Sequence, residues 1–177
     1  MPVKMIFSTK WAMPNRWTFQ IGPIADFVKR WIAGASVIVD PFSGTSEFAT
    51  HGNDLARGGI DAELYCDELL DAGVISDVVI FDPPYSPRQI SECYKSVGRN
   101  VTTNDTQNGA LYARVRKKLL PLLKPDGVAL SFGWQSSGFG RQLKTEEILL
   151  VQHGGAHNDT ICVAQRNTLE PSLFESI

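Results

Sequence analysis

Apolar residues follow two rhythms along this chain. Between positions 24 and 33 they fall at Ile24, Phe27, Val28, Trp31 and Ile32, the three-and-four spacing of a helix with one buried stripe. Elsewhere they come as short β-branched runs bounded by turn residues, the pattern of strands covered on both faces. Such runs predict strands over 36–40, 50–53, 62–66, 78–81 and 127–132. A helix over 110–123 is predicted to stop at Lys124-Pro125-Asp126-Gly127, where Pro and Gly follow the last turn. The runs 147–152 and 160–164 flank a glycine-containing loop and predict two antiparallel strands. The chain therefore reads as α/β, with a mostly parallel sheet finishing in an antiparallel hairpin.

Composition narrows this picture. With 177 residues, 43% of them hydrophobic, a single domain over 1–177 around one core is expected. No run of eighteen apolar residues occurs, so no membrane span is expected, and no secretory segment opens the chain. Cys66, Cys93 and Cys162 are odd in number and widely spaced, which suits a reduced, cytoplasmic protein. His153 and His157 have no ligand-spaced Cys or carboxylate cluster beside them, and no metal is expected. A net charge of −2 argues against strong nonspecific attraction to a polyanion while leaving room for a local basic face.

The candidate chemistry sits where two predicted strands stop. The run Asp77-Val78-Val79-Ile80-Phe81 meets Asp82-Pro83-Pro84-Tyr85, and the prolines, lacking N–H donors, end the strand abruptly. That holds an acid and an aromatic at a strand's carboxyl end, where ligands bind in open α/β sheets. A nucleobase amine is a poor nucleophile until acceptors hold its two N–H groups. Asp82 and the Pro83 carbonyl, in a rigid Pro-Pro turn, suit that task, and Tyr85 offers a stacking face for a base drawn out of a duplex. The same residues also serve as a plain strand terminator. Upstream, Ser36-Val37-Ile38-Val39 opens into Asp40-Pro41-Phe42-Ser43-Gly44-Thr45-Ser46, a small-residue loop that lets backbone approach a ligand closely.

An Asp-Pro-Phe-x-Gly loop followed about forty residues later by Asp-Pro-Pro-Tyr resembles the S-adenosylmethionine-dependent DNA amino-methyltransferases, which make N6-methyladenine or N4-methylcytosine. The stretch Asn15-Arg16-Trp17-Thr18-Phe19-Gln20-Ile21-Gly22-Pro23-Ile24 is similar to the opening motif of the subgroup with its cofactor segment first. The resemblance implies a Rossmann-like class I methyltransferase fold and S-adenosylmethionine as cofactor. It places Thr18, Phe19, Pro23, Asp40, Pro41, Phe42, Ser43 and Gly44 near that cofactor, Asp54 on its ribose and Asp67 on its adenine. It further implies Asp82, Pro83, Pro84 and Tyr85 as catalytic residues and a flipped DNA base as substrate. Adenine N6 is favoured, because Asp rather than Ser opens the tetrapeptide.

Several readings stay open. Asp67 is equally placed to cap a helix starting at Glu68. Asp54 lies only fourteen residues after Asp40, short for a helical crossover between parallel strands. The polar stretch 86–109 reads either as a loop that closes over the flipped base and meets nucleic acid, with Arg88 and Lys95 toward phosphates and Gln89 toward a base edge, or as a disordered or simply solvated segment. Trp134 is either a base-stacking residue or a core aromatic. No separate target-recognition domain fits in this length, so a homodimer or a separate specificity partner is a further expectation. RNA guanine N2 or protein glutamine methylation, and an inactive cofactor- or nucleic-acid-binding module, remain the alternatives.

Overall fold

A computed structural model describes residues 5–84, 91, 94, 95, 98 and 109–168 of the chain. Its centre is a seven-stranded sheet in the order β1-β6-β7-β5-β4-β2-β3. The strands are β1 Ile6–Trp11, β2 Ile38–Asp40, β3 His51–Gly52, β4 Ser76–Phe81, β5 Leu123–Gly133, β6 Lys144–Gln152 and β7 Thr160–Arg166. All neighbours pair in parallel except at β7, which runs antiparallel to both β5 and β6. The sheet is thus Rossmann-like, mostly parallel with an antiparallel hairpin at its C-terminal end, as expected.

Alternate residues of the central strands feed two cores. Ile38, Val78, Ile80, Val128 and Leu130 face Ile24, Phe27 and Val28 of α1, Gly22–Ile32. Val39, Val79, Phe81 and Ala129 face the other way, toward α2, Ala62–Asp71, and α3, Gly109–Leu119. Both faces being covered explains why the strands read as continuous apolar runs. Helix α1 is also tied to β6: the buried Glu147 accepts hydrogen bonds from Arg30 Nη2 at 2.7 Å and Trp31 Nε1 at 2.9 Å.

Two elements differ from the sequence expectation. The stretch 62–66 is the first half of α2, not a strand. Asp61 caps that helix by accepting from the Glu63 N–H at 2.9 Å, and Ala62, Cys66 and Leu69, spaced four and three apart, are its buried stripe. A five-residue window is too short to separate that stripe from a strand. The second difference is β1, which joins the sheet beside β6 although no element was expected there. The short connection 41–50 between β2 and β3 contains no helix. It is held instead by Thr50, whose Oγ1 accepts from the Ile38 N–H at 2.9 Å and donates to the Ile38 carbonyl at 3.1 Å.

The register between β2 and β4 is clamped at their amino ends. The Asp77 carboxylate accepts from the N–H groups of Ser36 at 2.7 Å and Val37 at 2.8 Å and pairs with Lys124. Lys124 first, then the two N–H groups, pull this carboxyl from 3.8 to about 2. The folded value lies below the unfolded one, so the clamp stabilises fully above about pH 4 and is lost as pH falls toward 2. Asp77→Asn is expected to lower the urea midpoint at pH 7 and to flatten the further decline between pH 4 and 2. Identical acid profiles for variant and wild type would contradict this.

Candidate cofactor and substrate cavity

At the carboxyl ends of β2, β3 and β4 lies a cavity of about 1020 Å³, the upper end of the range for small-molecule sites. Segments that follow three of the strands meet in its wall. Pro41, Phe42, Ser43 and Gly44 follow β2, Asp54 follows β3, and Asp82, Pro83 and Pro84 follow β4. The segment before α1 supplies Thr18 and Phe19.

Backbone geometry at Gly44 explains its residue type. Its φ is +56°, and an added Cβ would lie 3.4 Å from the Trp17 ring and 3.7 Å from Asp54 Oδ2. The lead-in to α1 is therefore folded against the β2 loop. Phe19 is seated by edge-on contacts with Phe48 at 5.8 Å and Phe132 at 5.1 Å. A second aromatic group braces the opposite wall, with Phe42, Phe81 and Tyr112 at mutual centroid distances of 5.7, 6.5 and 6.1 Å. The Tyr112 hydroxyl donates to the Pro84 carbonyl, tying α3 to the double proline.

Asp54, Asp61 and Asp82 line the cavity, and a further aspartate lies behind its wall. Asp40 is fully buried beneath the loop, and its Oδ1 accepts from the Phe42 N–H at 2.9 Å. Burial first, and then the charges of Asp82 and Asp54, push its carboxyl well above the ordinary 3.8, against the pull of the Phe42 N–H. Asp40 Oδ2 and Asp54 Oδ1 are both buried and accept no hydrogen bond. Of the two, only Asp54 lines the cavity, and its Oδ1 fits a ligand that brings a hydroxyl or cationic group there; Asp40, expected near the cofactor, is sealed beneath the loop and outside the wall.

The remaining expected residues are placed as follows. Pro23 opens α1 and is outside the cavity wall. Asp67 does not follow a strand: it sits within α2, 2.5 Å from Lys118 Nζ. The acid at the cavity from that part of the chain is Asp61, whose Oδ2 accepts from the Tyr94 hydroxyl at 3.3 Å. Lys95 is exposed, and Trp134, half exposed at the end of β5, is outside the wall. Tyr85, Arg88 and Gln89 lie outside the described residues.

Sequence reasoning missed Asn53. This buried amide donates to the carbonyls of Pro41 at 3.2 Å and Ile60 at 2.9 Å, and its Oδ1 accepts from the Ile60 N–H at 3.0 Å. It thereby joins the β2 loop to the segment behind Asp54. Its only signal in the sequence was its place at the end of a short predicted strand. Arg16, stacked 4.7 Å from the Trp17 ring, and Arg57 add positive charge to the wall.

No protein-family model matches the chain, and no curated protein matches it. Among solved structures, it is similar in shape to N-methyltransferase NodS from Bradyrhizobium japonicum WM9 in complex with S-adenosyl-L-homocysteine, with TM-score 0.47 and 9% identity over 82% of this chain and 85% of that one. A putative SAM-dependent methyltransferase from Streptococcus mutans matches with TM-score 0.45 and 12% identity over 93% and 45% of the two chains. The putative methyltransferase yhhF from Escherichia coli matches with TM-score 0.44 and 11% identity over 89% and 92%.

Asn53→Ala is expected to cost about 2 kcal/mol of stability, since it strands the Pro41 and Ile60 groups. Gly59→Ala should cost a similar amount, because its Cβ would lie 2.4 Å from Asn53 Oδ1 and 2.7 Å from the Asp54 carbonyl. Urea unfolding of the double variant should show less than the sum, as one clash partner is gone. Strict additivity would refute the coupling.

Proposed function

We propose that this chain is an S-adenosylmethionine-dependent methyltransferase acting on the exocyclic amine of a DNA base, with adenine N6 the favoured target. The observation that carries the reading is the convergence of the Gly44 loop, Asp54 and Asp82-Pro83-Pro84 on one cavity. That is the pairing of cofactor loop and amine-binding tetrapeptide which the sequence motifs imply.

In this reading the Gly44 loop and Thr18 border the amino-acid end of the cofactor, and the unpartnered Asp54 Oδ1 accepts from ribose hydroxyls. Asp61, which lines the cavity where Asp67 does not, is the acid that would accept from the cofactor's base. The bound cofactor supplies an electrophilic methyl group. Asp82 and the Pro83 carbonyl accept the two N–H groups of the target amine, orienting its lone pair toward that methyl. Asp82 also stabilises the positive charge that develops on nitrogen, and the spare proton leaves to solvent. Tyr85 stacks on the flipped base. Arg16, Arg57, Lys95, Arg88 and Gln89 meet the nucleic acid, with Trp134 on the rim, so that a chain of net charge −2 presents its cations locally.

Incubation with labelled cofactor and either duplex DNA or total RNA, followed by nucleoside mass spectrometry, is expected to give N6-methyladenine in DNA. Label confined to RNA would reassign the substrate, and cofactor binding without transfer would favour a module without catalysis. Asp82→Ala is expected to lower turnover at least about a hundredfold with cofactor affinity unchanged. Asp54→Asn should weaken cofactor binding about tenfold, read by calorimetry. Undiminished methylation by the first variant, or undiminished binding by the second, would remove the role given to that residue.

A further inference from the structure

The sheet ends at β1, far from the cavity, with four strands between β1 and β2. This edge is unusual in being apolar and open. Met5 is 47% exposed, Ile6 58%, Phe7 60%, Trp11 63% and Met13 69%. The strand carries one charge, Lys10, and no proline, so it lacks most of the devices that blunt an edge.

The orientation of its backbone follows from one bond. The Ala12 N–H donates to the Gln152 carbonyl at 3.0 Å. In a parallel ladder alternate residues turn both N–H and C=O toward the same neighbour. Ile6, Ser8, Lys10 and Ala12 therefore bond to β6. Phe7, Thr9 and Trp11 turn theirs outward, where no strand among the described residues pairs with them. Side chains sort the same way. Phe7 and Trp11 lie beside Ile148 and Gln152, on the face opposite Glu147, where α1 packs. No helix among the described residues occurs in the 134–143 connection from β5 to β6 to cover that face.

We infer that this edge is the docking surface for a second copy of the chain, joined through antiparallel β1–β1 pairing about a two-fold axis at Thr9. The outward groups of Phe7, Thr9 and Trp11 then exchange six main-chain bonds with their counterparts. This register sets Phe7 against Trp11 of the second copy, an aromatic cross-strand pair. It also brings Met5 level with Met13 and sets each Lys10 opposite a Ser8. A register centred one residue later would oppose two lysines, which is disfavoured. Stable interfaces begin at about 1,200 Å² in total, and the exposed Met5, Ile6, Phe7, Trp11 and Met13 are the surface from which each protomer supplies its share. The two sheets become one continuous sheet with both cavities at its outer ends.

Sedimentation velocity of the wild-type chain at about 10–100 µM is expected to show a concentration-dependent dimer. Thr9→Pro removes only an outward N–H, so it should retain the circular dichroism spectrum and thermal midpoint while sedimenting as a monomer. Thr9→Cys should form a covalent dimer under mild oxidation well beyond wild type, since opposed hydrogen-bonded residues sit about 5.5 Å apart between Cα atoms, within disulfide reach. A wild-type monomer throughout this range overturns the inference, whatever other protein the edge then serves. So does a dimer that survives both Thr9→Pro and Phe7→Lys. Neither readout requires methyl transfer, so failure here leaves the proposed activity standing and the converse also holds.

Discussion

Everything at the cavity depends on the register between β2 and β4, and that register is held by a carboxylate at the opposite end of the strands. Asp77 takes the N–H groups of Ser36 and Val37, and Ile38 then lies beside Val78 and Val39 beside Val79. Counting on from there brings Phe42 level with Asp82, so the glycine loop and the double proline leave the sheet at one height. A slip of one residue would exchange the two cores and carry Asp40 to the opposite face. Two fully covered faces make that slip costly, because each strand residue is matched to a helix on its own side.

Much of this was legible because chain termination is a local event. Prolines at 41, 83 and 84 stand directly after or near the ends of β2 and β4, and the β-branched runs before them have few alternatives. The antiparallel hairpin of β6 and β7 and the stripe of α1 were legible for the same reason. The α2 segment was not, since its identity rests on the Asp61 cap and on Leu69, beyond the window that suggested a strand. β1 was not, since its partner supplies the reason for its shape: β6 offers an open edge, and the pattern of Ile6–Trp11 alone sets no boundary. Asp61 and Asn53 owe their positions to turns whose closure depends on residues elsewhere in the chain.

Acids gather at the cavity, with Asp54 and Asp82 on its wall and Asp40 buried beneath the loop. Burial and the nearby charges of Asp82 and Asp54 raise the Asp40 carboxyl, and one oxygen each of Asp40 and Asp54 is buried without a donor. Arrangements of this kind cost stability and persist where the rest of the fold enforces them. Here the enforcing elements are the strand ends, the Phe42–Phe81–Tyr112 brace and the Asn53 amide.

That amide has an evolutionary corollary. By bridging Pro41 to Ile60, it fixes the length of the chain between Asp54 and Ile60, so insertions there would detach the floor from its support. The exposed tip at 134–137 is outside the cavity wall and can grow without disturbing the floor. Divergence in size among chains built on this plan should therefore accumulate beyond β5, leaving the turn after β3 almost invariant in length.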